Sequence, residues 1–150
     1  MEEQPEADGI WRQRIHVALL WIVIAFVLCL PNSALLSSRL IGDPAIDVWN
    51  HAWGYWFVFQ SILSGQLPLE TTLIGAPAGG VLYFIDTPGA MIALPITALF
   101  GPAVGYNLVL LGRLAITGIA TQGLTNDLLG EKSIWGWIAG WAAMTLPFLL

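Results

Sequence analysis

From Val17 to Leu30 the chain runs without a charged residue, and from Pro102 to Leu129 a second long apolar stretch is interrupted only by Arg113 and Asp127. Runs of this kind must leave water, either as core helices of a large protein or as membrane spans. The whole chain is 57% hydrophobic and 10% charged, against roughly 25% charge in an average soluble domain. Continued through Pro31, Asn32 and Ser33 to Leu36, the first run reaches the ~20 residues a spanning helix needs. A signal peptide is the rival reading. The polar leader is long and no small-residue cleavage site follows, which favours an uncleaved span. The predicted fold class is therefore all-α, with polytopic membrane helices in about three spans: one from Val17, one over Pro102–Leu129, and one from Ser133 after the Gly130-Glu131-Lys132 turn.

Residues 1–14 are expected to be a disordered cytoplasmic leader, acidic and carrying Pro5. Residues 15–150 then form the transmembrane portion. Arg12 and Arg14 before the first span favour a cytoplasmic N-terminus, and Lys132 agrees with that orientation. The net charge of −5 arises largely at the leader, where four of the ten acids fall in the first eight residues. No basic cluster is present, which argues against nucleic acid as a partner. The lone cysteine, Cys29, has no partner for an intrachain disulfide, and no Cys/His metal spacing occurs. The chain stops within the apolar stretch ending Pro147-Phe148-Leu149-Leu150, which suggests the N-terminal piece of a longer protein or a truncated reading frame.

Between the two long runs lies GDPAIDVWNHAWGYWF. Asp43 suits a helix N-cap and Pro44 the first helical position, which predicts a helix from Ala45 to about Leu63. Trp49, Trp53, Trp56 and Phe57 share one face, and Asp47, Asn50, His51 and Gly54 the other. Such a pattern predicts an amphipathic juxtamembrane helix with its rings at head-group level; a tilted span packed on its neighbours is the alternative. The Gly- and Pro-rich segment from Gly65 to Pro88 reads as loop. Its GAPAGG lacks the lysine and the helix signal of a phosphate loop. Asp86-Thr87-Pro88 opens a helix ending near Phe100. At ~20 Å of rise it is too short to cross a bilayer, which predicts a half-inserted segment. Gly136 and Gly140 form a small-xxx-small pair suited to close helix contact in lipid.

Carboxylates and cations near lipid are costly and mark candidate sites. Asp43 could accept a proton from a substrate hydroxyl while also capping a helix. Asp47 and His51, at i and i+4, are placed to touch; they could orient a substrate, bind a metal with Asp43, or hold a phosphate. Arg113 lies ~16 Å along its helix, near mid-bilayer, where a guanidinium needs an ion-pair partner or a cavity, and it could grip a phosphate. Asp86 reads as a helix cap, and Glu70 has no evident partner. No Gly-x-Ser-x-Gly, His-Glu-x-x-His or nucleotide motif appears.

In order along the chain stand GDPAIDVWNHAWGYWF, SGQLPL at Ser64–Leu69, GAPAGGVLYFIDTPG at Gly75–Gly89 and LPITALFGPAVGYNLVLL at Leu94–Leu111, then a span ending in DLLG. This order resembles the N-terminal part of GT-C superfamily glycosyltransferases, in particular bacterial membrane proteins assigned to that superfamily. The resemblance implies an inner-membrane enzyme using a polyprenyl-phosphate-linked sugar, with a catalytic aspartate opening a juxtamembrane helix in the first extracytoplasmic loop. Asp43 matches that position, with Asp47 assisting and His51 and Arg113 as phosphate contacts. Many relatives carry a second acid beside the aspartate. Here Pro44 stands there, so a divalent metal site would need Asp47. The cytoplasmic turn is also less basic than is usual in such proteins. Further partners would be the bilayer and either partner membrane helices or C-terminal spans beyond Leu150. The competing readings are a noncatalytic scaffold packing on partners through Gly136 and Gly140, and a transporter fragment with Arg113 in its pathway.

Overall fold

The computed structural model describes residues 4–43, 45, 47–81 and 85–146. The described chain is mostly helical and divides into two compact units: residues 31–110, and a unit joining residues 1–30 to residues 111–150.

The joined unit contains α1 (Gln4–Leu28), the greater part of α5 (Pro102–Leu129) and α6 (Ile134–Met144). Helix α1 starts at Gln4, so most of the leader expected to be disordered is helical. Glu6 and Ala7 are residue types that propagate a helix well. Among the described side chains of α1 only a thin stripe is buried: Trp21 and Ala25, continued just past the helix by Cys29. Ile15, Leu19, Ile22, Val23 and Val27 stay exposed. Only 11% of the Trp11–Leu28 window is buried. Among the described residues two helices, α1 over Trp11–Leu28 and α5 over Pro102–Leu129, are long and apolar enough to cross a membrane. Helix α6 has 11 residues, short of a span. Any continuation past residue 146 lies outside the described residues.

Trp21 is the centre of this unit, with no exposed surface. Its ring stacks on Trp137 at 5.1 Å between centroids and 20° between planes. Two glycines make room for it. A Cβ at Gly140 would stand 2.6 Å from Trp21 Cη2, and one at Gly118 2.7 Å from Met144 Sδ. Gly136 faces Asn126 in the same way. The small-xxx-small pair is thus filled by Trp21 and Asn126 of the same chain. This is the pair that the scaffold reading gave to partner helices.

The indole Nε1–H of Trp21 donates to Gln122 Oε1 at 2.8 Å, and both residues are buried. Away from water neither group has a cheap alternative. Trp21→Phe should therefore lower unfolding stability in detergent micelles by about 1–3 kcal/mol, because the Gln122 amide is left buried and unpaired. Adding Gln122→Leu should recover most of that loss. An SDS titration that shows no change in the single variant would refute the assignment.

The second unit is built on α2 (Val48–Leu63). It packs on α3 (Thr87–Ile92) and α4 (Leu94–Phe100), with Tyr55, Val58, Ile85, Ala90 and Ala93 as the core. The aromatic face predicted for α2 is divided by this packing. Phe57 is buried and Trp53 stacks on it at 5.3 Å, while Trp49, Trp56 and Leu63, seven residues apart, remain exposed. Gly54, on the expected polar side, is buried, and so is Ser61 further along the helix. A Cβ at Gly54 would lie 2.9 Å from Ile85 Cβ. Close helix contact, not polarity, decides that side.

The loop after α2 contains a minimal hairpin, β1 (Glu70–Thr71) against β2 (Gly80–Val81), with Glu70 opposite Val81 and Thr71 opposite Gly80. GAPAGG forms the hairpin's return loop, with Gly75 and Gly79 at positive φ. Asp86 caps α3 as expected: its Oδ1 accepts the Gly89 N–H at 3.1 Å, and its Oδ2 accepts the Tyr55 hydroxyl at 3.0 Å. The single helix predicted to Phe100 is in fact two, of six and seven residues, divided at Ala93. Pro95 has no N–H to offer the Met91 carbonyl, so a continuous helix is interrupted there. Gly101, at φ +88°, ends α4, and Pro102 opens α5 in the position proline favours.

Candidate functional site

The segment from Leu36 to Asp47 carries the acids, and its first half is held from α5. Asn107 has no exposed surface. Its Nδ2 donates to the carbonyls of Leu36 at 2.8 Å and Arg39 at 2.7 Å, and its Oδ1 accepts the Ile41 N–H at 2.9 Å. The Tyr106 hydroxyl donates to the Ile41 carbonyl at 3.2 Å, and Asn32 Nδ2 to that of Leu40 at 3.1 Å. Irregular backbone at membrane depth is tolerated only where protein or water satisfies it. Here two amides and a phenol do so for five backbone groups of Leu36, Arg39, Leu40 and Ile41.

Gly42 follows at φ +127°, a conformation open to glycine, with Val48 packed beneath it. Asp43 then closes a short turn: its Oδ1 accepts the Ala45 N–H at 2.8 Å. The helix begins only at Val48, and the N-cap position belongs to Asp47. The expectation that Asp43 caps a helix from Ala45 is therefore corrected. Its carboxylate is spent on a local turn, which delays the helix by one turn. Pro44 lies outside the described residues. Asp47 makes no side-chain cap bond either; its Oδ1 accepts the Asn50 amide at 3.1 Å. Both acids are exposed. Each retains acceptor capacity beyond the bond described.

The Asp47–His51 contact expected from the i, i+4 spacing does not form among the described residues. Asn50, one residue nearer, takes the carboxylate, and His51 is linked to Asp47 only by the helical N–H to carbonyl bond at 3.1 Å. His51 Nδ1 is buried with no hydrogen-bond partner. Arg113 is exposed on the part of α5 that belongs to the other unit. Asp43, Asp47 and His51 thus share one segment of the second unit, and Arg113 is not part of it. Among the described residues no three His, Cys, Asp or Glu side chains gather as metal ligands.

Beside the acids lies a cleft of about 400 Å³. Gly42 and Val48, which flank the acidic segment, form part of its wall, with Asn32, Ser38, Arg39 and Trp49. The acids border this cleft through those neighbours and do not themselves line it. Arg39 is the residue that sequence reasoning passed over. The signal was present: it is the one Lys or Arg between Arg14 and Arg113. Asn107 was likewise legible only as one of three amides in an apolar helix. The chain matches no protein-family model, no curated protein and no solved structure.

Proposed function

We propose that this chain is the N-terminal membrane portion of a GT-C-type glycosyltransferase that moves a sugar from a polyprenyl-phosphate carrier to an acceptor outside the cytoplasm. The observation that carries the proposal is that two exposed carboxylates follow, on one segment, an exposed cation whose backbone is held by Asn107. Asp43 and Asp47 stand on the segment that continues directly from Arg39, and Arg39 lines the adjoining cleft. A guanidinium suits a lipid-linked phosphate. The serine and asparagine beside it supply further donors. Trp49, exposed at the cleft edge, offers an apolar surface to the start of an isoprenoid chain. Asp43 takes the proton from the acceptor hydroxyl, whose oxygen attacks the anomeric carbon as polyprenyl phosphate leaves. Helices α1 and α5 cross the inner membrane, with a third span from Ser133, the N-terminus in the cytoplasm and the exposed Trp49–Trp56–Leu63 edge of α2 at the head groups.

Release of polyprenyl phosphate from a lipid-linked sugar, by membranes carrying the reading frame continued past Leu150, is the direct readout. Arg39→Gln should raise the donor KM about tenfold while changing kcat little, as loss of a ground-state phosphate contact does. A full-length protein that turns over no lipid-linked sugar would sink the proposal, and an unchanged donor KM would remove Arg39 from it.

A further inference from the structure

The geometry points to a second ligand site in the unit formed by α1, α5 and α6: a pocket for the phosphate head group of an anionic phospholipid from the cytosolic leaflet. It rests on the membrane reading above but not on sugar transfer.

The unit carries an open pocket of about 870 Å³. Arg14, Lys132 and Ser133 supply its polar side, and Val17, Ile119 and Trp137 its apolar side. Two of the chain's five basic residues therefore meet at one opening of a protein whose net charge is −5. No acid is among the described lining residues, although Asp127 and Glu131 are close in sequence. Lys132 Nζ donates to Gln13 Oε1 at 3.0 Å, which uses one of its three N–H donors. The Arg14 guanidinium lies 5.5 Å from the centroid of the Trp11 ring, which restrains it. The Ser133 hydroxyl oxygen is buried with no hydrogen-bond partner. A buried hydroxyl without a partner is costly, and an anionic oxygen in the cavity would satisfy it.

Depth along the helices selects the source of that anion. Arg14 stands near the start of the Trp11–Leu28 window, and Lys132 follows the end of α5 at Leu129. Both basic residues therefore fall at the end of a candidate span, at head-group level. Anionic lipid is concentrated on the cytosolic leaflet and attracts Lys and Arg there. The space is far larger than inorganic phosphate requires, and its apolar side suits the glycerol and first methylenes of a lipid.

Native mass spectrometry of the full chain released from detergent tests this, with phosphatidylglycerol or phosphatidylcholine added. Phosphatidylglycerol should be retained at least about tenfold better. The double variant Arg14→Gln/Lys132→Gln should lose that preference. Gly123→Leu keeps both charges and adds bulk to the cavity wall, where a Cβ meets nothing within 4 Å. It should weaken phosphatidylglycerol retention with helicity intact by circular dichroism. Excess inorganic phosphate should not displace the lipid. Equal retention of the two lipids, unchanged retention in the Gly123→Leu variant, or displacement by phosphate would each overturn the assignment. None of these readouts depends on glycosyl transfer.

Discussion

Asp43→Asn in the full-length protein should reduce sugar transfer by about 10²–10⁴-fold, the range expected when a general base is removed. The substitution is discriminating because of what Asp43 does in the loop. Its Oδ1 accepts the Ala45 N–H, and an asparagine carbonyl accepts the same bond. The turn, the start of α2 and the adjoining cleft should persist, so expression and donor KM should stay near those of the parent while kcat falls. Asp43→Ala removes both the base and the turn and should also lower stability. Asp47→Asn, at a position without a side-chain cap bond, should cost less than Asp43→Asn if Asp47 only assists. Kinetics of polyprenyl phosphate release separate these cases. Transfer retained in Asp43→Asn would clear that residue of the proton-accepting role.

Asn107→Leu should be the most damaging single change to the framework of the candidate site. Three hydrogen bonds from one fully buried amide hold Leu36, Arg39 and Ile41. Leucine is similar in size but leaves two carbonyls and one N–H without their partner. At roughly 1 kcal/mol or more for each, the loss is about 3 kcal/mol or more. Tyr106, whose hydroxyl donates to the Ile41 carbonyl, does not reach the Leu36 and Arg39 carbonyls that Asn107 holds. The loop carrying Arg39 and Asp43 should then move on α5, so donor KM should rise and kcat fall together. That pattern differs from Arg39→Gln, which should affect KM alone. An SDS titration matching the parent, with normal kinetics, would show that the amide does not position the loop.

The two long apolar helices were legible because burial in a helix or in lipid requires an uninterrupted apolar run, and such a run is local in sequence. Pro102–Leu129 was read with the ends the structure shows, since proline at one end and glycine at the other are local signals too. Asp86 was read as a cap for the same reason. The failures share a cause. Asp43 and Asp47 both fit an N-cap; in the structure Asp43 closes an Asx turn and Asp47 stands at the helix start. The Asp47–His51 pair obeyed helical spacing, yet Asn50 took the carboxylate.

Helical class, the positions of the apolar runs and the clustering of acids after the first run follow from residue order alone, because each depends on neighbours a few positions away. Tertiary structure alone decided that Asn107 clamps a loop some seventy residues earlier in the chain, that Arg39 faces a cleft, and that Trp21 fills the gap left by Gly118 and Gly140. Those contacts join distant segments through buried hydrogen bonds and shape. Their energy depends on which groups meet when water is excluded, and no local periodicity encodes that.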